Sequence, residues 1–104
     1  MDGQGLRVQV EGALQSIPDP ELGIDILNLG LIQDILIDAD ANVCVQYGLT
    51  RLGCPAAPLL HEAIIRTVNK VPGVRAATAE FVLDPPWTPD RMSTSARFDL
   101  LGVF

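Results

Sequence analysis

Leu6, Val10, Ala13, Leu14 and Ile17 recur at the spacing of one helical face, which predicts an amphipathic helix over Leu6 to Ser16. Pro18 and Pro20 end it, since proline lacks the N–H that a helix needs and restricts the residue before it. The next stretch, DPELGIDILNLG, mixes acids, glycines and apolar residues without a period and reads as an ordered loop. Leu31 to Asp38 is strand-like, and DADAN after it is a turn signal. Val43, Val45, Tyr47 and Leu49 then alternate with Cys44, Gln46 and Gly48, as in a half-buried strand. These two runs are expected to pair as an antiparallel hairpin.

From Ala56 to Lys70 the period changes. Leu60, Ala63, Ile64, Thr67, Val68 and Val71 form one helical face, with Pro58 in the first turn, where proline is tolerated. VPG ends this helix, and Val74 to Leu83 reads as a third strand. DPPWTPDR is a stiff, irregular segment; Ser93 is placed to cap a short last helix through Leu100, with Gly102 as its stop. The order α-β-β-α-β predicts a two-layer α+β domain, with helices on one face of a small mixed sheet and a right-handed strand–helix–strand crossover.

Composition narrows this picture. A chain of 104 residues is expected to form a single domain, 1–104. Hydrophobic residues make up 48% and charged residues 19%, the balance of a globular chain. With three Phe, one Tyr and one Trp, the core must be mainly aliphatic. A net charge of −6, with the basic residues scattered, argues against nucleic acid, whose phosphates need clustered Lys and Arg. No apolar run approaches the roughly 20 residues of a membrane span. The first residues do not resemble a signal peptide, and two cysteines do not make a disulfide framework, so the expectation is a cytoplasmic protein with both thiols free.

Cys54 stands in LTRLGCPAAP, between strand-like and helix-like runs. A helix N-terminus offers free N–H groups and partial positive charge, which favour the thiolate that attacks electrophiles and binds metal. Gly53 permits a tight turn and Pro55 stiffens the helix entry. The plainer alternative is a buried cysteine acting as a small hydrophobe. His61 lies seven positions further on, roughly 10 Å along a helix axis, too far to serve Cys54 as a base, and is read as a solvated helix residue. Cys44 sits mid-strand with no helix end to activate it and is read as structural. Zinc and iron–sulfur centres usually take about four protein ligands, so a cluster on Cys54 needs donors from a second subunit, a partner or a small molecule.

Four segments in order resemble the MIP18 family, also called domain of unknown function 59: DPELGIDILNLGLI, LTRLGCPAAPLL, VPGV, and LDPPWTPDRMS with ARFDLLG after it. The resemblance runs from about Ile17 to Gly102. It implies a small α+β fold and a part in iron–sulfur protein maturation, with SufT-type proteins and the PaaD subunit of the phenylacetate pathway among the members. This chain resembles the short, stand-alone form; PaaD-type members carry a cysteine-rich C-terminal extension.

The family's cysteine falls on Cys54, implied as a cluster or sulfur ligand. Its acidic loop falls on Asp19 and Glu21, with Leu22 beside them, and the threonine ahead of its cysteine falls on Thr50. Its tryptophan block falls on Trp87, Asp90 and Met92. Two positions depart from the pattern. Asn28 stands where the family usually has Asp, which removes one carboxylate. Arg51 replaces a Thr or small residue and adds positive charge beside Cys54. Asp19 and Glu21 are then expected to add hard ligands or a polar rim, the alternative for Asp19 being a turn cap beside proline. Leu22, Trp87, Asp90 and Met92 are expected to dock partners, the alternative for Trp87 being a cover over one end of the core.

The resemblance therefore implies an assembly, carrier or targeting factor rather than an enzyme, holding a transient iron–sulfur cluster and meeting assembly proteins and client apo-proteins. A homodimer, with two Cys54 thiolates at one site, is expected when a cluster is bound. The alternatives are a non-catalytic adaptor subunit of a PaaD-like or other metalloenzyme assembly complex, and a thiol-dependent enzyme. The enzyme reading lacks both a histidine beside Cys54 and a Gly-rich cofactor motif.

Overall fold

A computed structural model describes residues 3–19, 23–49, 57–82, 88–94 and 96. The elements are α1 (Gly3–Leu14), β1 (Ile32–Ile37), β2 (Asn42–Tyr47), α2 (Ala57–Asn69), β3 (Ala76–Phe81) and a single 3-10 turn, Pro89–Arg91. The α-β-β-α-β order and the mixed sheet are as expected, with element ends moved by a few residues. The third strand is the main difference. Val74 and Arg75 lie before it, because Val74 N–H closes a turn onto Val71 C=O at 3.1 Å and Gly73 takes φ 97°.

The sheet order is β1-β2-β3. β1 and β2 are antiparallel, and β2 and β3 are parallel, so α2 is the crossover between neighbouring parallel strands. Alternation decides the faces. Val43, Val45 and Tyr47 are buried with Ile35 and Ala77 against the helices, while Leu36, Cys44 and Thr78 form a row across the other face. The α1 stripe Leu6, Val10 and Leu14 and the α2 stripe Leu60, Ile64 and Val68 complete one aliphatic core. Burial of such side chains, each worth about 1.5–3 kcal/mol, holds the two layers together. Arg7 of α1 adds a polar link, donating from Nη1 to Ile35 C=O at 2.8 Å and from Nη2 to Asp34 Oδ1 at 3.3 Å.

The two ends of the sheet are closed differently. At the hairpin turn, Asp38 Oδ1 accepts from the N–H groups of Asp40 and Asn42 at 2.9 Å each, and Oδ2 accepts from Asn42 Nδ2 at 3.0 Å. At the opposite end a β-bulge between Ile32 and Asp34 breaks the β1–β2 register. Gly48 N–H there donates to Leu31 C=O, and Val82 N–H donates to Tyr47 C=O, each at 2.8 Å. The 88–94 segment folds back on the loop before β1: Ser93 N–H donates to Asn28 C=O at 2.7 Å, and Arg91 Nε donates to Gly30 C=O at 3.2 Å.

Candidate functional site

In the sequence Cys54 falls between the end of β2 and the start of α2. Cys54, Thr50 and Arg51 lie outside the described residues, as do Glu21, Leu22 and Trp87. What the structure gives is the elements that precede and follow them in the chain. β2 ends at Tyr47, which is 4% exposed, and the chain re-enters at Ala57 on α2. Between these flanks the Tyr47 hydroxyl and His61 Nδ1 stand 2.8 Å apart, with the two rings tilted at 5.8 Å. His61 is thus half-buried and bonded, which corrects its reading as a solvated helix residue. Burial raises the Tyr47 hydroxyl above its ordinary value of 10.0. Alternation already put Tyr47 on the core face, and a buried tyrosine hydroxyl needs a partner; that signal pointed to the pair.

Asp19 sits in the acidic loop and is 5% exposed. Its N–H donates to Ile24 C=O and its C=O accepts from Gly23 N–H, both at 2.9 Å, while Pro18 bridges Asp25. The loop is therefore stitched by its own backbone, with Ile17 and Ile26 anchored in the core. Among the described residues no buried side-chain nitrogen or oxygen lacks a hydrogen-bond partner.

Asn28 has a local reason. Its side-chain Nδ2 donates to Asp25 Oδ1 at 2.8 Å and its backbone N–H donates to Asp25 Oδ2 at 2.9 Å. A carboxylate at position 28 has no proton to donate there and would face Asp25 as a like charge.

The later block divides. Asp90 is exposed in the 3-10 turn, whereas Met92 is 5% exposed and belongs to the core. Met92, expected on a docking surface, is a packing residue that ties the 88–94 segment to the domain. Ser93 Oγ accepts from Ala96 N–H at 3.1 Å, and the rest of the last helix expected through Leu100, with Gly102 as its stop, lies outside the described residues.

Cys44 is a half-exposed free cysteine that faces away from the core. It lines a shallow groove of about 820 Å³ on the outer sheet face, with Arg7, Leu36, Asn42 and Thr78. It alternates with the buried Val43 and Val45 and packs no core. Among the described residues no three His, Cys, Asp or Glu side chains come together as a metal site.

Comparison with known proteins decides what this frame belongs to. Residues 7–81 match the family model described as iron–sulfur cluster assembly protein. The chain belongs to that family. It is 38% identical over 97 residues to the Fe-S protein maturation auxiliary factor YitW of Bacillus subtilis, covering 93% of this chain and 95% of YitW. It is 39% identical over 85 residues to the Fe-S protein maturation auxiliary factor SufT of Staphylococcus aureus, covering 82% of this chain and 96% of SufT. The crystal structure of a domain of unknown function 59 from Bacillus anthracis superposes with a TM-score of 0.89 at 32% identity, over 97% of this chain and 95% of that one. The family is the one that the LTRLGCP and DPPWTP segments resemble, and its architecture is the small α+β fold described above.

Proposed function

We propose that this chain is an auxiliary factor in iron–sulfur protein maturation and that Cys54 ligates iron or sulfur of a cluster held as cargo. The observation that carries the proposal is family membership, with maturation factors as relatives that match 93% and 82% of the chain. Thiolate is the soft donor that iron–sulfur clusters use. The cysteine segment springs from a strand end fixed by Gly48, Val82 and Tyr47 hydrogen bonds, a rigid base for a ligand.

Glu21 supplies an acidic rim in this reading, Asp19 being buried, and Thr50 and Arg51 supply polar and positive groups near the thiolate in sequence. Leu22, Trp87 and Asp90 contribute to the surface that meets assembly proteins and client apo-proteins. One thiolate leaves a cluster short of ligands, and two copies about a two-fold axis bring two Cys54 side chains to one site. The factor carries or docks and does not catalyse. It works in the reducing cytoplasm, where both thiols stay free. No helix among the described residues is long and apolar enough to cross a membrane.

Anaerobic incubation with ferrous iron and sulfide, followed by visible absorbance and light scattering, tests the proposal. The parent is expected to gain cluster absorbance as a dimer, and Cys54→Ser to gain none. Equal absorbance in both proteins would remove Cys54 as the ligand. A strictly monomeric holo-protein would remove the shared cluster.

A further inference from the structure

The sheet order β1-β2-β3 makes β1 an edge strand, and no further strand among the described residues pairs with its outer side. Asp38 N–H donates to Asn42 C=O at 3.1 Å, so Asp38 and, two residues back, Leu36 turn their backbone groups toward β2. Ile35 and Ile37 alternate with them and turn theirs to the open edge. Such a row of peptide groups is a template for another strand. At Ile35 the template is already filled by side chains. Arg7 Nη1 donates to Ile35 C=O at 2.8 Å, and Asp34 Oδ1 accepts from Ile35 N–H at 2.8 Å. Arg7 Nη2 donates to the same Oδ1 at 3.3 Å and closes the ring. One residue thus receives one donor and one acceptor, which is what the opposite residue of a hydrogen-bonded antiparallel pair supplies. The β-bulge between Ile32 and Asp34 adjoins it, and bulges at sheet edges re-aim side chains. The other edge strand has a smaller version: Ala77 N–H of β3 donates to Asn69 Oδ1, from the last residue of α2, at 3.0 Å.

We infer that the Arg7–Asp34 pair is a guard on the β1 edge, which keeps β1 from taking the β1 of a second copy as a fourth strand. The occupant follows from the strand itself. IQDILI has no proline and three β-branched isoleucines, and its single charge, Asp34, is part of the guard. Every copy presents the same edge, and antiparallel pairing about a two-fold axis satisfies both copies alike. The side chains of Arg7 and Asp34 are 43% and 47% exposed, and ion pairs so well solvated add little to stability. Removing the guard is therefore expected to change association far more than folding. The inference rests on neither Cys54 nor a cluster.

Light scattering of the full chain against protein concentration tests it, with both thiols reduced and without iron or sulfide, so that the shared cluster proposed above has no part in the result. Arg7→Met keeps the aliphatic stem and removes the donors, and Asp34→Ala removes the acceptor. The variant carrying both should approach twice the mass of the parent at the same concentration, while its melting temperature stays within a few degrees. Asp34→Asn keeps an oxygen that accepts from Ile35 N–H and Arg7, and should keep the parent's mass. Ile37→Pro removes the next outward N–H, a change that an edge strand tolerates where that N–H faces solvent. Added to the double variant, it should restore the parent's mass.

Residue-resolved amide exchange by NMR supplies a second reading, on Asp34→Ala alone, should the multiple variants fail to fold. In the parent the Ile35 N–H should be protected at every concentration. In Asp34→Ala it should exchange fast in dilute protein and slow down as the concentration rises, together with the Ile37 N–H. A folded double variant with the parent's mass would overturn the guard. So would association that survives Ile37→Pro, association of Asp34→Asn equal to that of the double variant, or exchange at Ile35 and Ile37 that ignores concentration in Asp34→Ala.

Discussion

The two ends of the three-stranded sheet hold the chain by opposite means. At the hairpin end one carboxylate, Asp38, organises five residues through bonds to Asp40 and Asn42. Every partner of the Asp38 side chain lies within four positions, and Arg75 N–H on Ala41 C=O at 2.9 Å ties the turn to the chain ahead of β3. At the other end the partners lie far apart in sequence: Gly48 with Leu31, Tyr47 with His61 and Val82, Gly30 with Arg91, Asn28 with Ser93. A turn made of local bonds closes a sheet and can be rebuilt in isolation. An end made of long-range bonds forms only when the whole domain has folded, and it can therefore hold side chains from several elements in one arrangement. The segment that carries Cys54 leaves from that second end.

The contrast is broken most severely at Gly30. Its φ is 84°, and a Cβ there would fall on the Arg91 carbonyl. Gly30→Ala is expected to cost about 2 kcal/mol or more, through both the left-handed backbone and the collision. Urea denaturation should show the lost stability, and limited proteolysis should show early cutting after residue 88. A variant as stable as the parent would mean that the 88–94 segment does not depend on this close approach.

Alkaline pH probes the same end. Tyr47 in the folded chain holds its proton to a higher pH than in the unfolded chain, because burial disfavours the phenolate. The stability that this contributes is complete below the ordinary value of 10.0 and is lost as pH rises through the higher folded value. The unfolding free energy of the parent should therefore fall more steeply above pH 10 than that of Tyr47→Phe. Parallel curves would show that the buried hydroxyl does not drive the loss.

The hairpin end should respond in the other direction. Ala41 has φ 66°, a conformation that alanine adopts at a cost. Ala41→Gly relieves that strain, offset in part by the greater freedom of glycine in the unfolded chain, and should stabilise by about 0.5 kcal/mol, visible as a higher melting temperature. Lower stability would show that the turn is not strained.

Asp38 gives the smallest effect. Hydrogen bonds from the Asn42 side chain and backbone hold its carboxyl below the ordinary value of 3.8. Its contribution is present above the unfolded value and is lost as pH falls through the lower folded one. Asp38 is fully exposed, so solvent screens the gain, and Asp38→Asn should flatten only slightly the acid limb of a stability–pH curve. An unaltered limb would leave the turn to its backbone.

How much of this was legible in the chain follows the same division. Period and turn residues marked both helices, the hairpin and the α-β-β-α-β order, because each is a local signal. DADAN marked the turn that Asp38 builds. The family resemblance located Cys54, but the frame around it was not readable from spacing. Helical spacing relates His61 only to Cys54, whereas its partner, Tyr47, lies on a neighbouring strand. Met92 belongs to the tryptophan block, which suggests a surface, and only the fold-back of the chain onto Asn28 and Gly30 shows it to be core. Asn28 looked like a missing ligand until Asp25 appeared as its partner. In each case the deciding contact joins residues that no local pattern relates.

Under the proposed function, activity depends on the Cys54 thiolate while the fold does not. Serine keeps the size and the hydrogen-bonding capacity of the position but is a poor soft ligand for iron or sulfide. Cys54→Ser is therefore expected to melt within a few degrees of the parent, since it alters none of the core side chains described above. The same variant should fail to restore an iron–sulfur enzyme's activity in cells that lack the native factor. A folded Cys54→Ser protein that restores this activity fully would contradict the account and leave the chain as an adaptor whose cysteine is incidental.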